Sequence, residues 1–208
     1  MFTHTSPFER ITAWTDILMG LLASFIAHQL SQIPAFRFTV WTWAFGLIAI
    51  SSFLGAIAHG YEMTRKTNDR LWMPINLSLG LALGLFVIGA LFDLSGEAIA
   101  RMALPVMLVI GFGFFLITVW KPGTFMTFIA YEAVAMLFAL GVYVYLLFTS
   151  SLAGAGWMVT GVLVTIIAAA VQATGKAGKS IFWYFDNNGV FHLIQMLGMV
   201  LLLIGLRQ

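Results

Sequence analysis

Seven runs of about twenty apolar residues follow one another along this chain, with most of the charge confined to the short gaps between them. A helix needs roughly 20 apolar residues to cross the hydrocarbon core of a bilayer. The pattern therefore predicts an all-α, polytopic membrane protein, a bundle of seven transmembrane helices forming one domain over residues 1–208. The spans are expected at residues 11–33, 38–63, 71–93, 97–120, 125–148, 152–174 and 188–206. Breakers fill the gaps between them: Pro34, Asn68, Pro122 with Gly123, and Gly175 with Gly178. Charged residues make up only 9% of the chain, against about 25% in soluble domains. Disordered, collagen-like and nucleic-acid-binding classes are excluded on that ground. With no cysteine, disulfides, thiolate metal ligands and cysteine nucleophiles are excluded too. The leading MFTHTSPFER has Glu9 beside Arg10 and no small-residue cleavage site, so it does not read as a removable signal peptide.

Orientation follows from the basic residues near the helix ends. The side of the N-terminus carries Arg10, Arg65, Lys66, Arg70, Lys121, Lys176 and Lys179, whereas the other carries Arg37, Arg101 and Arg207. The richer side is the cytoplasmic one, which with seven spans puts the C-terminus outside and suits a bacterial inner membrane. Arg65, Lys66 and Arg70 read as a solvated, headgroup-facing loop. Trp14, Trp72, Trp120, Trp183 and Tyr184 lie where an aromatic belt is expected. Gly80 and Gly84 form a small-residue face for helix pairing, and Gly111, Gly113, Gly154, Gly156 and Gly161 are candidates for the same work.

Depth within the bilayer, counted at about 1.5 Å per residue, brings the intramembrane polar groups into one leaflet. Asp16 opens the first span, His59 and Glu62 end the second, and Asn76 opens the third. Tyr131 and Glu132 lie about two turns into the fifth, and Gln172 ends the sixth. Asp186, Asn187, Asn188, His192 and Gln195 open the seventh. Charge inside a bilayer is expensive and marks functional sites. Asn188, His192 and Gln195 stand at i, i+4 and i+7 on one helix face, as do Ser52, Gly55 and His59. Two histidines and a carboxylate with an open position make a plausible catalytic zinc site. For the carboxylate, Asp16 ranks first, Asp186 second and Glu62 third. Asn187 reads as a helix cap and Asn188 as a pocket residue. Polar residues thin out beyond the middle of the bundle, which predicts a dead-end pocket rather than a continuous path.

The segments SSFLGAIAHG (residues 51–60) and FDNNGVFHLIQ (residues 185–195), with the Thr15-Asp16 pair, resemble the signature of an uncharacterised family of small seven-helix membrane proteins. That family is distantly similar to the superfamily of alkaline ceramidases and of the adiponectin and progestin receptors. The resemblance implies a zinc-dependent lipid amide hydrolase, in which His59 matches the metal histidine of the second helix and His192 the second one of the last helix. The departures are Asn188 in place of a histidine, Gly55 in place of a serine and Asn76 where an aspartate is expected. The closer small family often carries histidine where Asn187 stands and aspartate where Gly189 stands. A three-histidine site cannot be built here.

Two functional readings stand. In the first, Zn2+ on Asp16, His59 and His192 activates water, Glu132 or Asp186 shuttles the proton, and Ser52, Asn188 or Tyr131 polarises the carbonyl of a lipid amide or ester. Glu62, Asn76, Asn187 and Gln195 complete that pocket. In the second, the same pocket binds a small ligand or protons in a non-enzymatic sensor or transporter. Membrane lipids are the partners in either case. A retinal protein is disfavoured, because the last span holds no lysine.

Overall fold

The computed structural model describes residues 2–121 and 125–208. Among them the chain is all helix and connection, with six helical runs: α1 (Pro7–Ser31), α2 (Phe36–Gly60), α3 (Arg65–Trp120), α4 (Phe125–Phe148), α5 (Ala155–Thr174) and α6 (Asn187–Leu206). Each is long and apolar enough to cross a membrane. The chain is a membrane protein by this measure.

Two spans expected to be separate helices, 71–93 and 97–120, form the single run α3. Gly96 interrupts it with φ 81° and ψ 177°, a backbone region open essentially to glycine alone. The run folds back there. A methyl group at Gly80 would stand 2.7 Å from the carbonyl oxygen of Gly111, and one at Gly84 would stand 2.9 Å from that of Met107. In a straight helix Gly80 and Gly111 would be about 46 Å apart at 1.5 Å per residue. The two arms, 65–95 and 97–120, therefore lie side by side with their backbones in contact. Tyr131 Oη donates to the Gly80 carbonyl at 3.1 Å and ties α4 to the same crossing.

The other small-residue pairing joins α5 to α6, where Gly154 abuts Gly205, Gly161 abuts Leu202 and Gly198 abuts Thr165. In lipid such close approach supplies much of the attraction between helices. Of the glycines singled out for packing, Gly113 has no neighbour within 4 Å and Gly156 has only ordinary contact. The helices close into a ring in chain order, α1 against α2 and so on to α6, which returns to α1. The first helix begins at Pro7, a turn earlier than residue 11, because proline suits the first helical turn, where its missing N–H costs nothing. The turn expected at Pro122 and Gly123 lies outside the described residues.

One end of the ring is closed by a polar cluster that the sequence did not single out. Arg37 at the start of α2 grips Asp93 at the end of the first arm of α3, with Nε to Oδ1 at 2.6 Å and Nη2 to Oδ2 at 3.1 Å. Tyr143 of α4 donates to Asp93 Oδ2 at 3.0 Å, and Arg37 Nη1 donates to the Leu206 carbonyl at 3.4 Å. Below this cluster Trp41, fully buried, packs edge-to-face on Phe86 at 4.8 Å. Removing one partner of a buried, hydrogen-bonded ion pair costs about 3–5 kcal/mol. Asp93→Asn should accordingly lower the unfolding temperature in detergent more than Glu97→Gln, whose pair with Arg101 is half exposed. Equal shifts would show that the buried pair does not hold the ring closed.

Candidate functional site

From the opposite end a cavity of about 1170 Å3 runs into the bundle. Its rim carries Arg65, Lys66, Arg70 and Lys121, and its floor is Trp41, Phe45, Phe86 and Leu202. On α2 the levels of His59 and Trp41 are about 27 Å apart at 1.5 Å per residue. The upper half is polar and the lower half apolar.

Asp16, Ser52, His59, Asn76, Glu132, Gln172, Asn187, Asn188, His192 and Gln195 all line this cavity. Three candidates do not. Glu62 is exposed beyond the end of α2, where Thr5 donates through its backbone N–H at 3.1 Å and its hydroxyl at 2.6 Å. Those two bonds hold the Glu62 carboxyl below the ordinary range. Tyr131 turns to the Gly80 carbonyl instead. Asp186 is buried, and its carboxylate accepts from the backbone N–H groups of Asn188 at 3.0 Å, Gly189 at 3.2 Å and Gly178 at 2.8 Å. Asp186, and neither asparagine, is thus the cap of α6, and its acceptor capacity is taken up by the free N–H groups of the first turn. Asn187, expected as the cap, instead donates through Nδ2 to the Gln172 carbonyl at 2.8 Å.

At the centre of the site, His192 is held in a fixed orientation. Its Nδ1 lies 2.8 Å from Thr15 Oγ1, and that hydroxyl donates its proton to the Thr12 carbonyl at 2.8 Å. The network assigns the proton to Nδ1 and leaves a lone pair on Nε2. That atom stands 3.4 Å from Asp16 Oδ1. His59 follows the same logic: its Nδ1 lies 2.7 Å from the carboxylate of Glu9, so Nδ1 is the donor and Nε2 is free. Asp16 fits because residue 55 is glycine, since a methyl there would stand 2.9 Å from Asp16 Oδ2.

Glu9 and Thr12 escaped the sequence reading, although Glu9, Thr12 and Asp16 share one face at i, i+3 and i+7. The signal was lost by starting the first helix at residue 11.

The expected zinc set fits this arrangement only in part. Two ligands at about 2.1 Å from a tetrahedral ion are about 3.4 Å apart, which is the separation of His192 Nε2 and Asp16 Oδ1. Glu9 holds the third member, His59, through Nδ1 and leaves its Nε2 open, as a carboxylate does behind a metal histidine, but among the described residues no group of three His, Cys, Asp or Glu side chains is placed to hold one ion. A three-ligand centre is not formed by these side chains.

Residues 11–208 match a family described as a family of unknown function, DUF6962. The chain belongs to that family. No curated protein and no solved structure matches it.

The tautomers are directly measurable. In protein labelled with 15N-histidine, His192 and His59 are expected to show a protonated Nδ1 and an unprotonated Nε2 when neutral, and Thr15→Val should shift the His192 signals alone. Protonation at Nε2 of His192 would remove the assignment.

Proposed function

We propose that this protein is an intramembrane hydrolase acting on a lipid amide or ester in a cytoplasm-facing pocket. In this reading α3 contributes two crossings, giving seven in all, with the N-terminus in the cytoplasm of a bacterial inner membrane and the C-terminus outside. A distant kinship with the ceramidase and adiponectin receptor superfamily is part of the same proposal.

The observation that carries it is the pair of imidazoles, each with its Nδ1 proton held by a fixed acceptor and its Nε2 free, lining one cavity that is polar above and apolar below. A buried histidine used only for packing is expected to have both ring nitrogens hydrogen-bonded. Lipid tails would occupy the floor around Trp41 and Phe86, and the scissile carbonyl would lie at the level of Asp16. His192 Nε2 takes a proton from a water molecule, whose oxygen forms a bond to the carbonyl carbon. The carbon–nitrogen or carbon–oxygen bond then breaks, the proton passes from His192 to the departing amine or alcohol, and the carboxylic acid is released. Ser52, buried with its hydroxyl unpartnered, is the donor available to the carbonyl oxygen. Since the zinc ligands do not converge, no step is assigned to a metal.

The test is hydrolysis of fluorescent lipid amides and esters by protein reconstituted in vesicles. His192→Ala should lower turnover by about 100-fold or more, while Ser52→Ala should act mainly on kcat. Turnover that survives His192→Ala, or no turnover across the lipid panel, would overturn the proposal. Metal content of the wild type, His59→Ala and His192→Ala, purified without an affinity tag for metal, decides the zinc question. Zinc lost in both variants would replace the reaction written here by a metal-assisted one. The second reading, a non-enzymatic receptor or transporter for the same ligand, draws on the unconverged zinc ligands, and the cavity floor closed by Arg37 and Asp93 favours the receptor form.

A further inference from the structure

The hydrogen-bond accounts of the cavity wall do not balance, and the imbalance has a sign. Asp16 Oδ2, Glu132 Oε2, Gln172 Oε1, Asn187 Oδ1 and Gln195 Oε1 are buried, line the cavity and have no partner. The three amide oxygens are acceptors, and the two carboxyl oxygens are acceptors when ionised. The Asn187 amide is fixed in this sense, because its Nδ2 donates to the Gln172 carbonyl. The two histidine Nε2 atoms add lone pairs to the same wall. The hydroxyls of Ser52 and Thr165 serve either way, and among the fully buried, unpartnered atoms of the described wall the one nitrogen is Trp41 Nε1, at the floor. Two of the acceptors are carboxyl groups. Among the described residues neither forms an ion pair with Lys or Arg: Asp16 faces His192, and Glu132 has no ion-pair partner.

Buried polar groups in native proteins are nearly always satisfied, and an unsatisfied one costs about 1–3 kcal/mol. We propose that the occupant of this cavity is a single-chain amphiphile whose head donates hydrogen bonds, a primary ammonium, bound by Asp16 and His192 with Glu132 as a further acceptor. This deepens the functional reading above: the amine that hydrolysis of a lipid amide releases has this head, and Asp16 and His192 hold it once the bond has broken.

A primary ammonium carries three N–H donors and no acceptor. Beside Asp16 Oδ1 and His192 Nε2, 3.4 Å apart, it donates a hydrogen bond to each and supplies the positive charge that no Lys or Arg of the described residues brings to Asp16. The alkyl chain then follows the wall towards Trp41 and Phe86. An anionic head would find acceptors facing it at this depth and its own attraction only at the basic rim. The rim is also avoidable. An apolar crevice of about 190 Å3 between α4 and α5 shares Glu132, Met136 and Ala173 with the main cavity, so an alkyl chain in the bilayer lies one side chain away from Glu132.

The experiment uses the full-length protein in a neutral detergent at pH 7 and four probes of equal chain length: dodecylamine, dodecyltrimethylammonium, dodecanol and dodecyl sulfate. Binding is read from thermal stabilisation and from the change in tryptophan fluorescence, to which Trp41 and Trp72 of the cavity wall contribute among the seven tryptophans of the chain. Dodecylamine is expected to bind about tenfold or more tightly than dodecyltrimethylammonium, which has the charge without the N–H donors. Asp16→Asn and Glu132→Gln should each weaken dodecylamine by about tenfold and leave dodecanol within a few-fold. Equal binding of the two cations, or preference for dodecyl sulfate, overturns the inference on the wild type alone, whatever the variants do. Amine-selective binding with no hydrolysis of any lipid would sustain it while removing the hydrolase reading. Lipid hydrolysis without amine selectivity would do the reverse.

Discussion

The Arg37–Asp93 pair fixes what kind of space this bundle can enclose. It is bidentate and buried on the aspartate side, and through Tyr143 and the Leu206 carbonyl it joins α2, α3, α4 and α6 at one level. A charge pair in such surroundings is stable only when every partner is in place, so four helix ends are held in register together. With that end closed, the cavity runs from the basic rim at the other end down to the aromatic floor. The space becomes a blind pocket rather than a pore.

Within the pocket the positioning residues matter as much as those that face the ligand. Thr12 and Thr15 on α1 orient His192 on α6, and Glu9 on α1 orients His59 on α2. The first helix thus acts as a bracket for both imidazoles, leaving Nε2 free on each. Gly55 then leaves room for Asp16 against α2, where a side chain at that position would make the carboxylate shift. The departure from the serine expected at position 55 is what admits the carboxylate.

Much of this was legible in the sequence, for definite reasons. Apolar run length sets helix length in a bilayer, and the polar residues of one leaflet were found by counting rise along each run. Asp16, Ser52, His59, Glu132 and His192 reached the cavity as that count placed them. Where it failed, the cause was local. Asp186 looked like a reactive carboxylate because its capping bonds to Gly178, Asn188 and Gly189 depend on the loop conformation before α6. Tyr131 was correctly at pocket depth but on another face, drawn to the Gly80 carbonyl exposed by the glycine crossing. Glu62 lay one turn too far out and met Thr5 of the N-terminal segment.

By itself the sequence determined that the chain is all-α, that its helices suit a membrane, and that its ionisable residues crowd towards one end. These follow from solvation, which acts residue by residue and can be read residue by residue. Only the tertiary structure decided which groups pair. Arg37 with Asp93, Glu9 with His59, Thr15 with His192 and Gly178 with Asp186 are 56, 50, 177 and 8 residues apart. Such pairings depend on how helices rotate and cross, and small residues such as Gly80, Gly111 and Gly55 set that by how closely they let backbones and side chains approach. Direction and partner, unlike depth, are properties of the packed bundle.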